Sequence, residues 1–247
     1  MPTARVNGIN LAYDEVGQGT PLVFVHEFAG DAQSWHLQVR FFARRYRTIA
    51  YNARGYPPSD VPTDPIGYSQ DQAVDDIRGL LDALGIEKAH ICGLSMGGYA
   101  ALHFGIRYPA RALSLVVAGV GYGSVAADRE KFRKDVEETA RRFVDDGMVK
   151  VADFYAKGPT RVQFLDKDPR GWKEFRDQFV AQSALGHALT MRGVQMTRPS
   201  VFDLEPDLER LEVPTLLVTG DEEGASVNVT SRGGNTPTKL VGFVGDA

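Results

Sequence analysis

Short apolar runs alternate with amphipathic stretches along most of this chain. The runs that predict strands buried on both faces are residues 21–25, 48–51, 113–118 and 214–219. Between two of them, apolar positions recur at helical spacing, and this predicted helix begins after Ser69 in a Ser-x-x-Gln capping box and ends at Gly85. Strands that alternate with helices favour a mostly parallel sheet with right-handed crossovers. The pattern therefore predicts the α/β class, with a central sheet flanked by helices.

The two ends of the chain predict further strands. Asn7-Gly8 is a strong turn signal between two short strand-like stretches, which predicts a β-hairpin over residues 3–16. Near the other end, residues 238–244 form an apolar run that predicts a last strand. No helix-like period follows that run, so the final helix expected to cover one face of the sheet is missing.

The stretch from residue 123 to 199 departs from the alternation. It is charged, and its aromatic and apolar residues recur at helical spacing. Because it lies between two predicted core strands, we expect a helical lid over the strand ends, where ligands bind in open α/β sheets. The predicted organisation is a core of residues 1–122 and 200–247, with residues 123–199 inserted as the lid.

The most informative chemistry lies in the segment His-Ile-Cys-Gly-Leu-Ser-Met-Gly-Gly-Tyr, residues 90–99. It contains Gly93-x-Ser95-x-Gly97 between a strand-like and a helix-like run, the context that a nucleophile elbow requires. A serine on a strained turn needs neighbours without bulk at two positions before and after it, and glycine satisfies both. The free N–H groups of the following helix would point at an anion formed at Ser95.

Composition narrows the function classes. A net charge of −4 and the absence of a basic run argue against nucleic acid or a membrane surface as partner. No apolar run approaches the length of a membrane span, the first residues lack a signal-peptide core, and Cys92 is the single cysteine, so we expect a soluble cytoplasmic protein. No phosphate-binding loop, dinucleotide motif or metal-ligand cluster occurs, so we expect no cofactor and no metal. The sequence leaves the oligomeric state open.

Four segments of the chain, taken together and in their order along it, resemble a known protein family. They are the elbow, the turn at residues 25–30, the loop Asn52-Ala53-Arg54-Gly55, and the stretch from Val213 through Gly220-Asp221-Glu222-Glu223. Together they resemble the α/β-hydrolase fold family, especially its small lidded esterases, lactonases and enol-lactone hydrolase-like members. The resemblance implies that Ser95 is the nucleophile and that the backbone N–H groups of Phe28 and Met96 form the oxyanion hole. It implies a small carboxylic ester or lactone as substrate, cleaved through an acyl-enzyme without a cofactor.

The family's acid follows the strand that ends near Thr219. The fourth position of its G-x-x-D pattern is Glu223, which we take as the acid, with Asp221 as the alternative. His26 is expected to hold its loop rather than act in the chemistry. Glu27 stands where the family often has glycine, and we expect its carboxylate to point to solvent, because a charge pointing inward would repel an oxyanion. Asn52 stands where aspartate is common, and we expect only a local effect.

Of the family's catalytic serine, acid and histidine, the histidine that acts as base is missing from its expected place. The family order is serine, acid, histidine, and no histidine follows Glu223 in this chain. The sequence ends within a few residues of where that histidine is expected, so truncation, a changed reading frame after about Glu223, and replacement by another group stay open. Among the histidines present, His187 in the predicted lid is the possible substitute base.

Three functions are therefore carried forward. The first is a serine hydrolase of small esters or lactones, the second is a non-catalytic or vestigial scaffold that only binds a small ligand, and the third is a cofactor-free perhydrolase on the same fold. Arg192 or Arg198 is a further candidate, as the group that receives a carboxylate on the substrate.

Overall fold

The computed structural model describes residues 1–158, 161–220 and 239–243 of the chain, the last segment as backbone only. The strands of this described part form one sheet in the order β1-β2-β4-β3-β5-β6-β7-β8. They are β1 (Thr3–Val6), β2 (Ile9–Val16), β3 (Thr20–Val25), β4 (Tyr46–Tyr51), β5 (Ala89–Leu94), β6 (Ala112–Ala118), β7 (Thr215–Gly220) and β8 (Lys239–Phe243).

The sheet is mostly parallel, as predicted. The pairs β1–β2 and β2–β4 are antiparallel, and every later pair is parallel. The predicted hairpin is confirmed, since Asn7 and Gly8 form its two-residue turn with φ values of 46° and 83°, the combination that a tight hairpin turn favours. The predicted last strand is confirmed as β8, which pairs with β7.

Helices cover both faces of the sheet and the ends of its strands. In the described residues they are α1 (His36–Phe42), α2 (Gln70–Ala83), α3 (Met96–Arg107), α4 (Arg129–Asp145), α5 (Gly147–Tyr155), α6 (Val162–Lys167), α7 (Pro169–Val180), α8 (Ala184–Thr190) and α9 (Glu205–Glu209). A π-helical turn, Met191–Gln195, continues α8. None of these helices is both long and apolar enough to cross a membrane.

Helix α2 shows how the predicted capping works and where it differs. The Ser69 hydroxyl accepts the Gln72 N–H at 3.0 Å, so the predicted N-cap is present. The reciprocal half of the capping box is not formed, because the Gln72 side chain donates instead to the Asp76 carboxylate at 2.9 Å. That carboxylate is buried and ion-paired with Arg54, so it is the stronger acceptor.

Between β6 and β7 the chain forms helices α4 to α9, and we call residues 123–199, which contain α4 to α8, the helical insertion. Three apolar clusters occupy the described interior: a small one packs Val39 of α1 against Leu22 and Phe24 of β3, and two are larger. One lies between the sheet and its flanking helices, with Ile77, Leu80, Ile91 and Phe104 among its fully buried members. The other joins the helical insertion to the elbow end of the sheet and includes Phe28, Tyr56, Met96, Phe143 and Phe179. The site described next lies where this second cluster meets the strand ends.

Candidate active site

Ser95 lies alone on the turn between β5 and α3. Its backbone has φ 52° and ψ −111°, a left-handed conformation that costs a residue with a Cβ about 1–3 kcal/mol. The surrounding structure holds it there: its N–H donates to the Ala118 carbonyl of β6 at 2.8 Å, and its own carbonyl accepts the Tyr99 N–H at 2.9 Å. The strained serine between strand and helix is the geometry that the motif predicts.

The two flanking glycines are required by backbone contacts. A Cβ on Gly93 would lie 2.0 Å from the Gly97 carbonyl oxygen, and a Cβ on Gly97 would lie 2.1 Å from the Val25 carbonyl oxygen. Neither obstacle is a side chain that can rotate away. The sequence argument for small residues at these positions therefore has a specific cause, which is the close passage of α3 over β5 and β3.

Two backbone N–H groups, those of Met96 and Phe28, have no hydrogen-bond partner among the described residues. Met96 is the first residue of α3, so its N–H has no partner within the helix. Phe28 lies in the turn after β3, closed by a hydrogen bond from the Gly30 N–H to the Glu27 carbonyl at 3.1 Å, and the Phe28 N–H bonds no described residue. These are the two donors named from the sequence as the oxyanion hole.

His26 fastens the turn that carries Phe28. Its Nε2 accepts the Ala53 N–H at 3.0 Å, and its Nδ1 therefore carries the proton that it donates to the Glu27 carbonyl at 2.8 Å. Burial lowers the pKa of His26, which keeps this neutral tautomer. Both ring nitrogens are occupied, so His26 holds the loop, as expected from the sequence.

Glu27 corrects the prediction that its carboxylate points to solvent. The residue is only 7% exposed, and its carboxylate lies against Gly30 beneath the helical insertion. One carboxylate oxygen is 3.9 Å from an Arg161 guanidinium nitrogen, and the other has no described partner. The sequence argument considered only the repulsion between an inward-pointing carboxylate and the oxyanion. It did not foresee that Arg161 of the insertion would lie beside Glu27 as a counter-ion.

His187, the possible substitute base, is not brought to Ser95 by a hydrogen bond. Its Nδ1 donates to the Ser183 carbonyl at 2.9 Å, and its Nε2 is buried without a described partner. The ring is enclosed by the aromatic rings of Phe28, Tyr56, Phe143 and Phe179. Burial lowers its pKa to about 3, well below the value that suits a general base at neutral pH.

The other described histidines do not approach Ser95 as partners either. The nearest in sequence are His90 and His103. His90 bonds the Ser114 hydroxyl at 2.8 Å, whereas His103 has a buried Nε2 without a described partner, and burial lowers its pKa to about 4. Glu223 and its alternative Asp221 lie outside the described residues. Strand β7, after which both follow in the sequence, ends at Gly220 and pairs with β6, one strand removed from the elbow strand.

The two arginines suggested for a substrate carboxylate have other partners. Arg192 forms a two-pronged ion pair with Glu137, with both nitrogen–oxygen distances near 3.0 Å. Arg198 is 3% exposed, donates to the Tyr122 carbonyl at 2.9 Å and to the Gln195 side chain, and pairs with no described carboxylate. Burial lowers the pKa of Arg198 to about 10. Each guanidinium therefore already has partners within the chain.

Asn52 has the local role that was expected. Its side-chain oxygen accepts the Ala32 N–H at 3.0 Å and its NH₂ donates to the Pro57 carbonyl at 2.6 Å, so it joins two loops next to the site. An aspartate accepts but cannot donate, which explains the amide here.

Sequence reasoning missed Tyr56. Its ring contacts those of His26 and His187, and its hydroxyl lies 3.9 Å from the Met96 sulfur. Burial raises the pKa of Tyr56 well above its usual value, so the phenol stays protonated. Tyr56 and Met96 also line a cavity of about 30 Å³, enough for a water molecule. The only signal was its position, one residue after the loop segment Asn52-Ala53-Arg54-Gly55 that carried part of the resemblance.

Comparison with known proteins agrees with this geometry. The chain is 26% identical to 3-oxoadipate enol-lactonase 2 of Acinetobacter baylyi over 90% of its own length and 79% of that protein. It is 35% identical to epoxide hydrolase 2 of Siraitia grosvenorii over 49% of its length and 38% of that protein. The crystal structure of the enol-lactonase from Burkholderia xenovorans LB400 matches with a TM-score of 0.83 and 25% identity, covering 98% of this chain and 91% of that one.

The family model for the alpha/beta hydrolase fold matches residues 20–232, which contain every strand that places the elbow. The match, the sheet order and the strained serine between β5 and α3 agree with one another. The chain belongs to the α/β-hydrolase fold family.

Proposed function

We propose that this chain is a serine hydrolase of small carboxylic esters or lactones. The observation that carries the proposal is the strained Ser95 directly before α3, where the Met96 N–H begins the helix without a partner. The Phe28 N–H, which is also without a described partner, supplies the second anion-binding donor in this proposal.

The chemistry follows from the positions of these groups. The Ser95 oxygen attacks the carbonyl carbon, and the negative charge that develops on the carbonyl oxygen is stabilised by the Met96 and Phe28 N–H groups. Each such donor typically contributes about 3–4 kcal/mol to lowering the barrier. The carbon–oxygen bond to the alcohol then breaks, and the departing oxygen takes up the proton lost by Ser95. An ester releases its alcohol, whereas a lactone opens with its hydroxyl still attached to the acyl group. Water then cleaves the acyl-enzyme, which releases the acid and restores Ser95. Both acylation and deacylation require a base that removes a proton from the attacking oxygen.

Serine chemistry favours an ester or lactone over an epoxide, although both kinds of enzyme occur among the relatives. Attack of a serine on an epoxide carbon would form an ether, which water does not cleave under these conditions. Attack on an ester or lactone carbonyl forms an acyl-enzyme, which water hydrolyses. The residue at the elbow is Ser95, so the lactone-opening reaction in the name of the enol-lactonase relatives is the better guide to the chemistry than epoxide opening.

The decisive experiment is intact-mass analysis of the chain after treatment with a fluorophosphonate. We expect one adduct on the wild type and none on Ser95→Ala. Ser114→Ala is the matched control, because this serine lies at the other end of the sheet and bonds His90, and it should react like the wild type. No adduct on a chain with native-like circular dichroism would favour the binding scaffold. If an adduct forms, competition between hydrogen peroxide and water for the acyl group distinguishes a perhydrolase from a hydrolase.

A further inference from the structure

The carboxylate of Glu27 is buried with an incomplete set of partners. Its side chain is 9% exposed, its one charged partner among the described residues is Arg161 at 3.9 Å, and its second oxygen has none. A buried carboxylate usually accepts several hydrogen bonds, because an uncompensated buried charge is costly. The negative charge of the Glu27 carboxylate is therefore only partly compensated by its neighbours.

The pair spans the gap between the core and the helical insertion. Glu27 directly precedes Phe28, whose N–H is one of the two anion donors, whereas Arg161 lies just before α6 in the insertion with its guanidinium 4.9 Å from the centre of the Phe175 ring. Tyr155 lies within the field of both charges. Burial raises the pKa of Tyr155, Arg161 lowers it, and Glu27 raises it further. The Tyr155 ring lies 5.9 Å from the Phe28 ring, so a residue in the field of both charges packs against the side chain of Phe28.

Unlike Arg161, the arginines Arg192 and Arg198 do not compensate the negative charge of the Glu27 carboxylate. Arg192 is bound by Glu137, and Arg198 is enclosed by the rings of Tyr99 and Phe132. The other acidic group on the loop, Asp31, caps the short helix after it. An anionic substrate that reaches Phe28 would thus meet one carboxylate whose only described counter-ion is 3.9 Å away.

We propose that the Glu27–Arg161 pair sets the charge of the substrate, so that the site takes uncharged esters and lactones and disfavours those with a carboxylate near the reacting carbonyl. The inference rests on the proposed function, because it assumes that the reacting carbonyl lies at Phe28 and Met96. Its physical basis is the cost of placing like charges together in a site with little water. Specificity then comes from a repulsive group as well as from attractive ones.

The pair makes two predictions of opposite sign. Glu27→Gln removes the repulsion and leaves the Arg161 charge free to attract a carboxylate. Arg161→Gln leaves Glu27 without its counter-ion and increases the repulsion. A change in packing alone would move both variants in the same direction.

The test uses two substrates that differ only in charge. They are mono-4-nitrophenyl glutarate, which carries a free carboxylate, and its methyl ester, and release of 4-nitrophenol gives kcat/KM for each. We expect the preference for the methyl ester to fall about tenfold in Glu27→Gln and to rise by a similar factor in Arg161→Gln. Glu174→Gln removes a charge of the same sign from an exposed ion pair on α7 and should leave the ratio unchanged.

Ratios that stay constant in both variants, or that move together, would overturn the proposal. If neither substrate is cleaved by any variant, the proposed function fails, and binding then decides the charge question. Calorimetry with monomethyl glutarate and dimethyl glutarate gives that answer. Tighter binding of the acid alone by Glu27→Gln supports the proposal, and equal affinities in wild type and variant refute it.

Discussion

The guanidinium carbon of Arg198 lies 3.9 Å from the centre of the Tyr99 ring. Tyr99 is one turn after Ser95 on α3, and its hydroxyl bonds the Ser124 hydroxyl at 2.9 Å. Arg198 closes the other end of the helical insertion, where it also donates to the Tyr122 carbonyl. One cation–π contact and one hydrogen bond thus join the two ends of the insertion to Tyr99 on the helix that follows Ser95.

Replacing Arg198 by lysine should destabilise the protein, because a lysine keeps the charge but not the planar group that stacks on Tyr99 while bonding Tyr122. We expect a loss of about 2 kcal/mol in the free energy of unfolding, measured with urea. Arg210→Lys, on an exposed arginine, should change it by less than about 0.5 kcal/mol. Equal effects of the two substitutions would mean that the stacked geometry contributes nothing.

Gly97→Ala should abolish reaction with the fluorophosphonate. The added methyl group would lie 2.1 Å from the Val25 carbonyl oxygen, so α3 must move away from β3 and carry Ser95 and the Met96 N–H with it. We expect a loss of about 3 kcal/mol in the free energy of unfolding as well. Gly67→Ala is the control, since its nearest neighbour would be 3.7 Å away, and it should label like the wild type. Normal labelling of Gly97→Ala would show that the elbow tolerates bulk.

Two buried histidines should make the protein sensitive to acid. The folded-state pKa values of His187 and His103 are lowered to about 3 and about 4, whereas both histidines titrate near 6.5 when unfolded. The unfolded state therefore binds more protons below pH 6.5, and stability falls as the pH decreases from there toward 4. Each histidine lowers the folding equilibrium constant by up to about tenfold per pH unit in this window.

The variant His187→Phe checks that prediction. Its free energy of unfolding, measured with urea between pH 7 and 4.5, should fall less steeply than that of the wild type, by about one proton. His103→Gln should reduce the slope in the same way, and the double variant should reduce it further. Parallel profiles for wild type and variants would contradict the assignment of neutral buried rings.

Removing the Asp76 carboxylate should be among the most destabilising changes outside the site. This carboxylate accepts two hydrogen bonds from Arg54 at 3.0 Å each, and further ones from Asn7 and Gln72 at 2.9 Å. Asp76→Ala leaves the Arg54 charge buried without its partner, which costs about 3–5 kcal/mol. Glu15→Ala, in the partly exposed pair with Arg47, should cost at most about 1 kcal/mol. Urea titrations that give equal losses would refute the distinction.

Local signals predicted the elbow and most of the sheet correctly. Gly93 and Gly97 identify the turn because the requirement is steric and confined to a few residues. The apolar runs identify the parallel strands because strands buried on both faces admit few polar residues. The hairpin followed from Asn7-Gly8 for the same reason, since the turn chemistry is complete within two residues.

Relations between distant segments could not be predicted in this way. The burial of Glu27 depends on Arg161, 134 positions later in the chain, and no periodicity links the two. The reciprocal capping of α2 was lost to Asp76 because a buried ion pair offered Gln72 a stronger acceptor than its own backbone. Arg192 and Arg198 could not be told from ligand-binding arginines until Glu137 and the Tyr99 ring were found against them.

Strand β6 serves both the nucleophile and the helical insertion. Its last residue, Ala118, accepts the Ser95 N–H, and the chain then passes through Gly119 and Gly121, both with positive φ. The Gly119 N–H is itself bound to the Val218 carbonyl of β7 at 2.9 Å. Ala118 and Gly119 are adjacent in the chain, so the point at which it leaves β6 for the insertion is held by the elbow on one side and by β7 on the other. The start of the insertion and the position of Ser95 are therefore fixed by the same two residues.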